Sequence, residues 1–309
     1  MPKQRNLAID RFRGATIMLM VIVNDLADVE SIPAFLKHAP AEAGLTIADL
    51  VSKFFIFAIA ATYLLSFNKR AAREGKSKAY FHFFSRYFAI MGIGALFGEF
   101  SSVWTGDTVW STLQTIGLAG LLTLLVISLP WWARALSGLA VLAAQQTLYH
   151  FLPDIFTGEV GAVLGSLGMA ACLMLATAMI DLFNKGLKTY LIGAGAVTLA
   201  AFAPLLHPDL YVTKQNHVTF ILISVAVSCW VYLAFDLISK RVRPTKPGLL
   251  CWWGENPMLL YIFHLMLTGA AMALNPRPLG LAIVVDLSIL SVLSLIAWAL
   301  HRKNWQLSL

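Results

Sequence analysis

Ten apolar segments, each about twenty residues long, follow one another along the chain with short polar loops between them. They run at approximately 8–28, 47–67, 80–99, 109–128, 131–150, 160–182, 188–206, 218–238, 252–272 and 279–300. A hydrocarbon layer of ~30 Å is crossed by about 20 helical residues. Lipid offers the backbone no hydrogen bonds, so each segment is expected to be a helix. None alternates polar and apolar residues as a transmembrane β-strand would. Only 13% of the residues are charged and 59% are hydrophobic, where soluble domains carry about a quarter charged. The expected fold is therefore an all-α membrane protein, a single domain over residues 1–309 with about ten transmembrane helices.

The basic residues fix an orientation. With the N-terminus in the cytosol, the opposite side keeps Lys37, Lys53, Lys214 and Arg277, and the other nineteen of the 23 Lys and Arg fall on the cytosolic side. Both termini are then cytosolic. The net charge of +7 is a topology signal, since nucleic-acid binding would need a basic soluble face with interleaved aromatics. The cationic inner face suits a phosphate-bearing ligand or anionic lipid. Lys3 and Arg5 imitate the start of a signal peptide. The charge continues through Asp10, Arg11 and Arg13, however, and no small-residue cleavage site follows closely, so the first segment reads as a retained helix.

This topology sorts the reactive groups. His38, His150, His207 and His217 fall on the outer side with most of the carboxylates, Asp25 and Asp49 among them. Polar residues inside spans are costly and are candidates for function: Asn24, Gln114, Gln145, Gln146, Asn256, His264 and Asp286. Interhelical hydrogen bonding is the plain alternative for each, worth ~0.6–2 kcal/mol per contact. His38 could equally be an idle loop histidine. Thr46 and Asp49 have the spacing of a capping box, and Asp10 and Arg13 could pair across one helical turn. The three cysteines, Cys172, Cys229 and Cys251, show no metal-binding spacing and read as small buried hydrophobes, so no metal is expected.

The strings AIDRFRGATIMLMVIVN and KHAPAEAGLTIADLVSKFFIF, at residues 8–24 and 37–57, resemble the opening signature of the heparan-α-glucosaminide N-acetyltransferase family of transmembrane acyltransferases. LQTIGL at 113–118, TKQNHVTFIL at 213–222 and GENPMLLYIFH at 254–264 resemble later segments of that family, in order. The resemblance implies transfer of an acetyl group from cytosolic acetyl-CoA to an amine or hydroxyl of a sugar or glycan across the membrane. Carried over by motif, His38 matches the catalytic histidine, Asn24 the asparagine beside it, His264 the second histidine and Asp49 the acid after the Gly-Thr turn. Asp10, Arg13 and Asn256 match positions placed near the CoA end. The implied partners are acetyl-CoA, a glycan acceptor and the lipid bilayer, with a homodimer as a candidate assembly and no nucleic acid.

Chemistry agrees with this assignment. An acceptor must lose a proton as it attacks a thioester, and an imidazole titrating near neutrality is the natural base. Asn24 could then donate to the developing oxyanion. The chain departs from the family pattern in one extra residue in the histidine loop, in Ser52-Lys53 where Phe-Pro is usual, in Thr115 where Arg is usual, and in Asp25 after Asn24. These changes cluster around the expected acceptor pocket and leave acceptor identity open. Two other classes stay open on sequence alone, a transporter or flippase and a non-catalytic membrane scaffold. Short loops and the lack of a soluble domain point to a bacterial inner membrane.

Overall fold

The computed structural model describes residues 6–27, 29, 31–39, 45–105 (backbone course alone at 98–105), 110–156, 161–203, 217–242, 247–272 and 278–307. Lys214, Arg277, His207 and the start of the 213–222 motif lie outside the described residues. Among the described residues there are eleven α-helices, two 3-10 turns and no strand. The helices are α1 (Leu7–Leu26), α2 (Ile47–Glu74), α3 (Lys76–Thr105), α4 (Thr112–Leu124), α5 (Trp131–Phe151), α6 (Ala162–Lys185), α7 (Leu187–Phe202), α8 (Val218–Arg241), α9 (Leu249–Glu255), α10 (Pro257–Met272) and α11 (Leu279–Arg302). Four of them, α2, α6, α8 and α11, are long and apolar enough to cross a membrane.

The ninth apolar segment, read above as one helix over 252–272, is two. The chain breaks at Asn256 (φ −131°, ψ 55°). Pro257 has no N–H to continue the ladder, and its ring disfavours helical backbone in the residue before it. Asn256 instead starts α10, its carbonyl accepting from the Leu260 N–H at 3.1 Å.

The chain forms two compact units whose boundaries fall inside α2 and α8, one made of residues 56–230 and the other of residues 1–55 and 231–308. In the first, α6 is the central helix, packed by α4, α5 and α7. It is apolar nearly all round, as a helix surrounded by others must be. Gly186 alone links α6 to α7, at φ +139°, a conformation only glycine adopts without strain. Arg134 is fully buried and paired with Asp181. Tyr63 donates to the Gly120 carbonyl at 2.9 Å and stacks on Phe83. Gln114, a candidate for function on sequence, closes a capping box with Ser111 at the start of α4, so its amide serves the helix end.

The second unit holds Asp10, Arg13, Asn24, His38, Asp49, Asn256 and His264. Its spine is α1, which packs on α9, α10 and α11. Ile17 and Val21 of α1 meet Trp253, Leu260, Ile289 and Leu293 in one apolar core. Phe12 sets its ring edge-on to Phe54, Tyr232 and Phe235. At Gly14 and Gly254 the backbones of α1 and α9 touch: a Cβ on Gly14 would lie 1.9 Å from the Leu250 oxygen, and one on Gly254 2.0 Å from the Asp10 oxygen. Beyond α1 the chain is pinned by Leu26, Val29 and Ile32, which pack with Ala282 of α11. That anchoring delivers the loop carrying His38.

Candidate active site

His38 follows the 3-10 turn Ala34–Leu36, and its imidazole meets the first turn of α2. Its Nδ1 lies 2.9 Å from Asp49 Oδ1. The other oxygen, Oδ2, collects the backbone N–H groups of Thr46 (3.0 Å) and Ala39 (3.3 Å) and lies 3.0 Å from the Thr46 hydroxyl. Asp49 therefore does two jobs. It accepts the backbone N–H of Thr46 just before α2, one half of the capping box that the spacing predicts, and it accepts from His38. A carboxylate only accepts, so Nδ1 must carry the proton, and among the described residues no partner is seen for Nε2. The His38 side chain is 37% exposed and that of Asp49 only 6%. This is a histidine held through Nδ1 by a buried acid, a pairing that in general suits a proton acceptor at the other ring nitrogen.

A second polar cluster is built from α1, α10 and α11. Asn24 Nδ2 lies 3.4 Å from His264 Nε2, and His264 Nδ1 lies 3.0 Å from the Thr268 hydroxyl one turn further along α10. Thr268 donates to Asp25 Oδ1, and Asp286 of α11 lies beside Asp25, its Oδ1 buried without a hydrogen bond among the described residues. His264, Asp25, Thr268 and Asp286 are all buried. Val23, beside Asn24, packs on Ala48 and Val51, which flank Asp49. The far end of α1 thus packs through Val23 on the turn of α2 that holds His38.

The near end of α1 holds the remaining predicted residues. Asp10 and Arg13 pair at 3.8 Å, and Arg13 donates to the Gly254 carbonyl at 3.0 Å. Asn256 binds the tail after α11, donating to Trp305 O at 3.0 Å and accepting from Leu307 N at 2.8 Å. Fourteen residues separate Asp10 from Asn24, roughly 21 Å along a helix axis at 1.5 Å per residue. Beside Arg11 a cavity of about 270 Å³ is bounded by Phe235, Ile238, Leu249 and Cys251 among others.

The model of the heparan-alpha-glucosaminide N-acetyltransferase catalytic family matches residues 5–266. The chain belongs to that family. A comparison with curated proteins returned no match. Membership in the acetyltransferase family carries the coarse reading, an acetyl-transferring protein of the membrane. The matched region covers His38, Asp49, Asn24 and His264, while Thr268, Asp286 and the tail that binds Asn256 lie beyond it. The sequence reading brought forward both histidines and their partners but passed over Thr268, although it sits four residues after His264 and so on the same helical face. Asp25 stands out in the sequence as an outer-side carboxylate and as a departure from the family pattern, without a role in the site.

Proposed function

We propose that the protein transfers an acetyl group from cytosolic acetyl-CoA to an amine or hydroxyl of a sugar or glycan on the extracytoplasmic side, with His38 as general base. The observation that carries this reading is the His38–Asp49 pair, with Nδ1 held by a buried carboxylate and the side chain part-exposed, in a chain of this acetyltransferase family. His38 Nε2 takes the acceptor's proton as the new C–N or C–O bond forms. The carbonyl oxygen gains charge, and the C–S bond then breaks to release the thiolate. Asn24 spends one amide N–H on His264 and keeps a second for that oxygen.

The proposed topology counts α9 and α10 as one span, giving ten, with both termini in the cytosol and the chain in a bacterial inner membrane. Asp10, Arg13 and Asn256 then lie at the cytosolic mouth that receives CoA. Their hydrogen bonds to Gly254 and the tail support a role in holding the shape of that mouth. Arg11, beside the cavity there, supplies positive charge on the side from which the CoA phosphates approach. The deciding assay is transfer from labelled acetyl-CoA to glucosamine or cell-envelope sugars by purified protein. His38→Ala is expected to abolish it, and equal turnover by both proteins would remove His38 from the reaction.

A further inference from the structure

We propose that Asp25 and Thr268 form a positioning chain that fixes His264 as its Nδ1–H tautomer and presents a bare Nε2 to Asn24. The inference starts from the single hydroxyl hydrogen of Thr268. That hydrogen goes to Asp25 Oδ1. Toward His264 Nδ1, 3.0 Å away, the threonine oxygen can therefore only accept, and Nδ1 must carry the proton. Nε2 is then a lone pair, and it meets the amide nitrogen of Asn24 at 3.4 Å. One direction of donation runs through the whole chain: Asn24 to His264, His264 to Thr268, Thr268 to Asp25.

The opposite tautomer breaks this order at two points. An Nε2–H would face the Asn24 amide donor to donor, and the Thr268 hydrogen would have to abandon a buried carboxylate to serve Nδ1. Asp25 is 2% exposed, and a buried acceptor that loses its donor carries a cost of about 1–3 kcal/mol, more when charged. Asp25 thus decides the tautomer of a ring it does not itself need to bond. These residues act through His264 and Asn24, and they sit beyond the family match or, at Asp25, depart from its pattern. The kinetic consequence rests on the acetyl-transfer reading, and the tautomer does not.

The test is nitrogen NMR of the full chain in lipid bilayers with ¹⁵N-labelled histidine, the His264 signals being those lost in His264→Asn, alongside acetyl transfer. The wild type is expected to show a protonated Nδ1 and a bare Nε2 at His264. Thr268→Val should mix the tautomers and lower kcat roughly 10- to 100-fold with little change in the KM for acetyl-CoA, and Thr268→Ser should restore both. An Nε2–H ring in the wild type, or unchanged signals and turnover in Thr268→Val, would overturn the proposal. A wild type with the expected tautomer and no acetyl transfer would sink the functional reading and leave the positioning chain standing.

Discussion

Replacing Asp49 with asparagine separates its two jobs. Oδ2 accepts two backbone N–H groups, from Thr46 at 3.0 Å and Ala39 at 3.3 Å, so the asparagine carbonyl will take that place. The NH₂ group then stands where Oδ1 stood, 2.9 Å from His38 Nδ1. Two donors cannot share that gap, so the imidazole proton must move to Nε2, the nitrogen needed as base. The cap survives, and folding should lose only the difference between a charged and a neutral hydrogen bond at a partly exposed ring, about 1 kcal/mol. Turnover should fall by about 10²–10⁴-fold, the full contribution of a positioned base. Asp49→Ala also removes the cap and should cost a further ~1–2 kcal/mol of stability. The measurements are acetyl transfer at saturating acetyl-CoA and thermal unfolding of both variants beside wild type. Undiminished turnover in Asp49→Asn would refute the reasoning, because no ring nitrogen would then need to be bare.

Gly254→Ala puts a methyl 2.0 Å from the Asp10 oxygen; α1 must retreat and the Arg13–Gly254 bond must stretch, so a loss of about 2–4 kcal/mol is expected in thermal unfolding. Asn256→Ala removes both tail hydrogen bonds and should speed amide exchange over residues 303–307 without unfolding the helices. Burial holds the His217 imidazole down to about 4, below its ordinary ~6.5. Between those values the folded chain binds fewer protons than the unfolded one, so stability should drop as pH falls from ~6.5 toward 4 and level off below, by up to roughly 3 kcal/mol. In pH-dependent melting, His217→Gln should flatten that slope.

Much of this was legible in the residues. Apolar length alone located a helix in each of the ten segments, and the Thr46–Asp49 spacing foretold the cap that also grips His38. Short-range signals also existed where they were passed over: Ser111 and Gln114 have capping-box spacing, yet the amide was weighed as a polar group adrift in a span. Asn256–Pro257 is a plain break, hidden because hydropathy continues smoothly across it. The Gly14–Gly254 contact joins positions 240 residues apart, and no local pattern announces it. Asp286 illustrates the limit best. A buried acid marks itself by its cost, but its neighbour is set by how α11 lies against α1, which a single chain of letters does not encode.

On the proposed reading, in which a thioester threads a bilayer, the seam between α1 and α9 has a further meaning. Where Gly14 and Gly254 meet, main chain rests on main chain with no room for a methyl group, and hence none for a file of water molecules. Protons cannot seep along that line. An energised membrane would discharge through any loosely built conduit, and this joint is one wall that needs no gate.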